Sequence, residues 1–224
     1  MSVAVSATPT TATAALAARE VAHRYSPRRG LEPVSFELSA PLVASVTGPN
    51  GSGKSTLLRI VAGLLRPNRG ACVLRREGRE IARGDRRDHV GLATPDLSFY
   101  EEFTVGENLV FAAEARGLAD PRGRVRESLE RVGLWVRAGD RADALSSGMR
   151  QRLRLAFALL HRPPVLLLDE PGSHLDDDGR AMVARLVDEH RSHGLVLIAT
   201  NEEREWKLAD RKIELRGRGL GDPA

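Results

Sequence analysis

Cysteine is nearly missing from this chain: Cys72 stands alone, so no internal disulfide can staple the fold, and a reducing compartment suits it. Long apolar runs are missing as well. No uninterrupted stretch approaches the roughly 20 residues that a bilayer-crossing helix needs, which argues against a membrane-spanning segment. Lysine is confined to Lys54, Lys207 and Lys212, so arginine carries nearly all the positive charge behind the net charge of +4. Acidic residues are interleaved among the arginines, and no block of like charge forms. The basic balance therefore reads as solvated faces more than as a nucleic-acid or membrane-surface patch. Aromatics are few, so three of them within "FYEEF", at Phe99, Tyr100 and Phe103, stand out. Glutamine occurs once, at Gln151.

What is present is ordinary for a globular domain. With 224 residues, 42% hydrophobic, the chain can bury one substantial core or a core plus a small subdomain. The first eighteen residues are uncharged and built from Ala, Thr, Ser and Val. They lack the positive start and apolar centre of a secretory signal, and a disordered extension over 1–18 is expected. The segment from Val21 to Leu38 alternates around "SPRRG" and reads as two strands with a turn. "LVASVT", "VLLLD" and "LVLIAT" read as buried strands, "ACVLRREGREIA" as a hairpin, and "RKIEL" as a short final strand. Helices are expected after Lys54, from Thr104 with its capping-box partner Glu107, and from Asp120 with Pro121 at the first helical position. Two more begin at "LSSG" and at "DGRAMVARLVDEHRSHG". Buried strands alternating with helices predict an α/β fold with a parallel-sheet core. To this the pattern adds an N-terminal antiparallel β-subdomain and an inserted α-helical subdomain over about 96–156. The folded domain is expected over 19–216, with 217–224 as a tail.

"GPNGSGKST", comprising Gly48, Pro49, Asn50, Gly51, Ser52, Gly53, Lys54, Ser55 and Thr56, satisfies G-x-x-x-x-G-K-[ST] in full. The glycines let successive backbone N–H groups converge on one anion, and the following helix adds its positive end. Lys54 suits the β- and γ-phosphates as a point charge, and the Ser55 hydroxyl suits Mg²⁺. With a β run before it and an amphipathic helix after it, the loop predicts a nucleoside-triphosphate site in a P-loop fold. Asp169, at the end of "VLLLD", is the matching Mg²⁺ carboxylate, and Glu170 is placed to orient or deprotonate an attacking water.

"LSSGMRQRLRLAFALLHRPPVLLLDEPGSHLD" resembles the signature region, acidic strand and D-loop of ATP-binding cassette (ABC) proteins. The signature stands at Leu145, Ser146, Ser147 and Gly148, with Met149 where Gln is commonest, and the D-loop at Ser173, His174, Leu175 and Asp176. The similarity runs from Val21 to Leu215. It implies ATP and Mg²⁺ as ligands, with ATP hydrolysis coupled to transport. It also implies a second ABC subunit docked head-to-tail, so that Ser146, Ser147, Gly148 and Asp176 complete the partner's site. The serines also read as a plain helix cap, which uses the same donors. Tyr25 stands where the family places an aromatic on adenine, or it is simply a strand aromatic.

Two positions depart from the family pattern. "TVGENL" fixes the alignment and puts Pro95 or Asp96 where a glutamine is usual; Asp96 is either a substitute Mg²⁺ ligand or a solvated turn aspartate. Asn201 stands in place of the histidine that contacts the γ-phosphate. An asparagine amide can donate one such bond but has no titratable proton, so slow turnover is expected.

"FYEEF" is either hinge core or a groove for a partner helix. The resemblance implies a separate transmembrane permease subunit and a cytoplasmic position, peripheral on the inner face of the membrane, with no direct nucleic-acid contact. "GLLRPNRG" and "SSGMRQRL" look most like exporter ATPases of the haem-exporter (cytochrome c maturation) and ABC-2 groups. The alternative is a soluble cassette protein acting in translation, on DNA or in iron–sulfur assembly, or a nucleotide-gated clamp with little hydrolysis.

Overall fold

The computed structural model describes residues 14–26 and 29–217. Two sheets and their helices make up this region. An antiparallel sheet has the order β2-β1-β4-β5, from β1 (Ala14–Ser26), β2 (Arg29–Ser39), β4 (Arg69–Arg76) and β5 (Arg79–Ile81). A parallel sheet has the order β6-β7-β8-β3-β9, from β3 (Leu42–Thr47), β6 (Val90–Ala93), β7 (Val165–Asp169), β8 (Leu195–Ala199) and β9 (Arg211–Glu214).

Burial on both faces explains why the central strands are apolar throughout. Successive side chains alternate between two cores. Leu166 and Leu168 of β7, with Val196 and Ile198 of β8, meet one cluster. That cluster is completed by α2 (Val105–Ala115), α3 (Pro121–Arg131), α4 (Ser147–Leu159) and α5 (Asp177–Arg191). Val165 and Leu167, with Leu195 and Leu197, face the other way, onto α1 (Lys54–Val61) and the antiparallel sheet.

The expected helix starts are present with their caps. Thr104 and Glu107 form the reciprocal capping box, and Asp120 accepts from the Gly123 N–H with Pro121 in the first turn. The N-terminal expectation needs correction. Ala14, Leu16 and Ala18 alternate inward and are buried, and Ala14–Ala18 pair with β2 and β4. A run of small uncharged residues there is strand, because alternation places its small side chains against the core. The rest of the expected extension, 1–13, and residues 218–224 of the expected tail lie outside the described residues.

Two elements had no sequence signal. β6 is four residues long and contains Gly91, which reads as a breaker. That glycine is required by packing, since a Cβ there would fall 2.1 Å from the Ala158 carbonyl oxygen of α4. The short helix α6 (Glu203–Trp206) is too brief for a periodic pattern to show.

Candidate functional site

The site forms where β3, β8 and β7 end side by side. β8 pairs with β3 on one side and β7 on the other, all parallel, so three chain segments leave the same sheet edge together. They are the glycine-rich loop after β3, Asp169 and Glu170 at the end of β7, and Thr200 and Asn201 after β8. Such an edge is where open α/β sheets bind ligands.

The loop Gly48–Thr56 is bent by glycines with φ of 147° at Gly48, 82° at Gly51 and 99° at Gly53. Two of them are sterically closed to a side chain: a Cβ would come 2.6 Å from the Leu215 carbonyl oxygen at Gly48 and 2.9 Å from the Leu31 backbone at Gly53. Gly53 is also the N-cap of α1, so the loop delivers the chain directly into the helix. Lys54 is buried, and its Nζ donates to Gly48 O at 2.8 Å and Pro49 O at 3.4 Å. Burial holds its ammonium below the ordinary lysine range, partly offset by the charges of Glu170 and Asp169. Burial also raises the Asp169 carboxyl, opposed by a hydrogen bond from the Ser55 hydroxyl. The cation, the hydroxyl and the two carboxylates named from sequence are thus one electrostatic unit.

Glu170 lies just outside the strand with a left-handed φ of 48°, a conformation that costs a non-glycine residue about 1–2 kcal/mol. Its N–H donates to Ala199 O at 2.8 Å, which keeps the ends of β7 and β8 in step. Asn201 reaches the loop directly: its Nδ2 donates to Asn50 Oδ1 at 3.0 Å.

Asp96 lies on an exposed loop beside α1. Its carboxylate pairs with Arg59 of α1, while the Ser55 hydroxyl is bonded to Asp169. Next to it, Leu97 O accepts from Arg154 of α4 at 3.1 Å. An arginine from each helix thus grips the Asp96 loop, Arg59 at the carboxylate and Arg154 at the neighbouring carbonyl. Tyr25 lines a cleft of about 610 Å³ with Leu31 and Asn68, half exposed, with the His23 ring edge-on at 4.6 Å and the Arg29 guanidinium at 5.7 Å. Leu31 joins this cleft to the phosphate loop through its contact with Gly53.

Ser146 caps α4, its Oγ accepting from Met149 N at 3.2 Å, with Ser147 and Gly148 in the first turn. A helix start leaves its first N–H groups without intrahelical partners. Gly148 abuts the His174 carbonyl, and Asp176 caps α5 by accepting from Gly179 N at 2.8 Å. Signature and D-loop therefore adjoin one another. Of the "FYEEF" aromatics, Phe99 packs edge-to-face on Phe157 at 6.2 Å. Tyr100 and Phe103 are exposed beside Phe111 of α2, a neighbour that nothing in the sequence pointed to.

Two further polar side chains, Gln151 and Glu205, are buried against the loop that follows Glu170. Gln151 was visible in sequence only as the lone glutamine, and Glu205 as one of several acids in "NEERE".

The model for the ABC transporter family matches residues 31–173. The chain belongs to the ABC transporter family. Its relatives include the ABC transporter ATP-binding protein YxlF of Bacillus subtilis, 39% identical over 79% of this chain and 59% of that protein. The linearmycin resistance ATP-binding protein LnrL of the same organism is 31% identical over 88% of this chain and 64% of its own length. The Fe(3+) ions import ATP-binding protein FbpC of Streptomyces avermitilis is 38% identical over 86% of this chain and 57% of its own. The chain thus spans about three fifths of each relative. The fold matches the dimeric structure of the ATP-binding cassette MJ0796 bound to ADP and Pi, with TM-score 0.80 and 24% identity, over 89% of this chain and 94% of that one. Among the described residues no helix is long and apolar enough to cross a membrane.

Proposed function

We propose that this ABC family member is the ATP-binding and ATP-hydrolysing subunit of a transporter. In this reading it closes head-to-tail on a second such subunit and drives a separate membrane permease from the cytoplasmic face. The observation that carries the reading is the meeting of three strand ends. The phosphate loop with Lys54, the acids Asp169 and Glu170, and Asn201 bonded to Asn50 share one sheet edge.

Their roles follow from their chemistry. The loop N–H groups and Lys54 bind the phosphates, and Tyr25 stacks on adenine beside them. Ser55 and Asp169 offer hard oxygen ligands that fit Mg²⁺, which would neutralise charge on the β- and γ-phosphates. Among the described residues no cluster of three or more His, Cys, Asp or Glu makes a metal cage, as suits a cation that takes its other ligands from phosphate and water. Glu170 accepts a proton from a water whose oxygen attacks the γ-phosphorus, while the bond to the bridging oxygen breaks and ADP leaves. Asn201 donates one hydrogen bond near that phosphate. Ser146, Ser147, Gly148 and Asp176 point to the partner's nucleotide, which is why closure requires ATP. Exposed Tyr100, Phe103 and Phe111 offer the permease an aromatic footing.

Export is the direction we favour, from the likeness of "GLLRPNRG" and "SSGMRQRL" to haem-exporter and ABC-2 ATPases. The names of the relatives include both resistance and import. Hydrolysis by the wild type, Glu170→Gln and Asn201→His decides the enzymatic reading. We expect slow wild-type turnover, a loss of at least about 100-fold in Glu170→Gln and a gain in Asn201→His. Wild-type activity no greater than that of Glu170→Gln removes hydrolysis and leaves a nucleotide-gated clamp. Co-purification with a polytopic membrane protein tests the transporter assignment.

A further inference from the structure

One peptide unit, between Pro171 and Gly172, is held on both sides by buried side chains. Its carbonyl accepts from Gln151 Nε2 at 3.1 Å, and its N–H donates to Glu205 Oε1 at 2.6 Å. Gln151 comes from α4, the helix that begins with the signature serines, and it also reaches Glu170 O at 3.4 Å. Its own amide oxygen accepts from Arg154 at 3.3 Å. Glu205 comes from α6 and also takes the Thr200 hydroxyl, whose residue immediately precedes Asn201. The two side chains are 2% and 7% exposed, so neither is a surface contact made in passing. A Cβ on Gly172 would fall 2.4 Å from Glu205 Oε1, so only glycine leaves room for this carboxylate against the backbone.

We propose that Gln151 and Glu205 are positioning residues for ATP hydrolysis, clamping the Pro171–Gly172 peptide so that Glu170 is aimed correctly. The clamp ties Glu170 to the signature helix on one side and to the Asn201 loop on the other. It rests on the reading of Glu170 as the residue that activates water. Glu170 is one residue before the clamped unit and already in a left-handed conformation, so freedom at that peptide passes directly into its carboxylate. A displacement of about 1 Å in such a group lowers a rate on the order of 100-fold. Burying a carboxylate and an amide is costly unless they are hydrogen-bonded. Here Glu205 Oε1 and Gln151 Nε2 bond the same peptide, while Glu205 Oε2 is buried without a hydrogen-bond partner among the described residues.

The test compares Gln151→Ala, Glu205→Ala, Glu205→Gln and the Gln151→Ala/Glu205→Ala pair. Turnover, KM and equilibrium ATP affinity are measured well below each variant's melting temperature. Each alanine variant should lose about 30- to 100-fold in kcat, with KM and ATP affinity within about threefold of wild type. Glu205→Gln keeps an oxygen for the Gly172 N–H and should stay within about fivefold. The double variant should fall no more than about threefold below the worse single, because a peptide freed on one side has little more to lose. Where Glu205→Ala does not fold, Gln151→Ala and Thr200→Val carry the same expectation. A kcat within about threefold of wild type for the alanine variants, or a loss matched by an equal loss of ATP affinity, overturns the proposal. Glu170→Gln separates the two levels. Wild type no faster than Glu170→Gln sinks hydrolysis and the clamp together, whereas an active wild type with unchanged alanine variants sinks the clamp alone.

Discussion

Asn201 brings one side-chain amide to the proposed site. Its Nδ2 is directed at the phosphate loop through Asn50, so the residue has kept a donor role while giving up any proton it could transfer. We expect Asn201→Ala to lower kcat about 100-fold or more while ATP affinity changes less than about threefold; unchanged turnover would remove Asn201 from the reaction. Residues of the phosphate loop and the Asp169–Glu170 pair were legible because their chemistry is local, packed into short runs with one backbone requirement. Asn201 was legible because it follows the apolar strand "LVLIAT" at the place where the family pattern has a histidine. Gln151 and Glu205 were not legible, because they act on a peptide 20 and 33 residues away in sequence and only the fold brings them there. The ion pair of Asp96 with Arg59 was hidden for a related reason, since Arg59 comes from a helix whose orientation the sequence does not state.

The phosphate-binding helix α1 is as dependent on its far end as on its loop. Arg86 is buried and donates to the carbonyls of Ile60 at 3.2 Å and Val61 at 3.1 Å, and to Cys72 O at 2.5 Å. A cation at a helix C-terminus is favourable, and these carbonyls have no water to turn to. In the sequence Arg86 looked like one more solvated arginine. Arg86→Met should therefore lower unfolding free energy by about 2–4 kcal/mol in denaturant titration, with Arg86→Lys intermediate. β6 makes the same point about strands, being held by close contact with α4 rather than by propensity. Gly91→Ala should destabilise the fold by at least about 2 kcal/mol, because the helix backbone must move to admit the methyl group. Long amphipathic helices and fully apolar strands could be read in advance, and so could the short β9; β6 and α6, defined by their neighbours, could not.

At the level of the whole molecule, two buried histidines set a dependence on pH. Burial holds His161 and His190 at pKa values of about 4, against an ordinary value near 6.5. The unfolded chain therefore binds more protons between those limits, and stability falls as pH drops from about 6.5 towards 4. Complete titration amounts to about 3 kcal/mol for each histidine. Asp169 and Glu205, raised by burial, act in the opposite sense, so the histidine contribution is best read by difference. Urea melts from pH 7 to 4 should show a shallower loss for a His161→Gln/His190→Gln variant than for wild type. The same central sheet has a consequence for how the chain finds its native alignment. β7 is oily on both faces, so a slip by one residue would leave its burial almost unchanged while moving Asp169 about 3.3 Å and turning it to the opposite face. Hydrophobicity cannot tell the two alignments apart. The choice falls to the polar contacts at the strand's two ends, Val165 N on His89 O at its start and Glu170 N on Ala199 O at its finish, and the second of these stands within the proposed site itself.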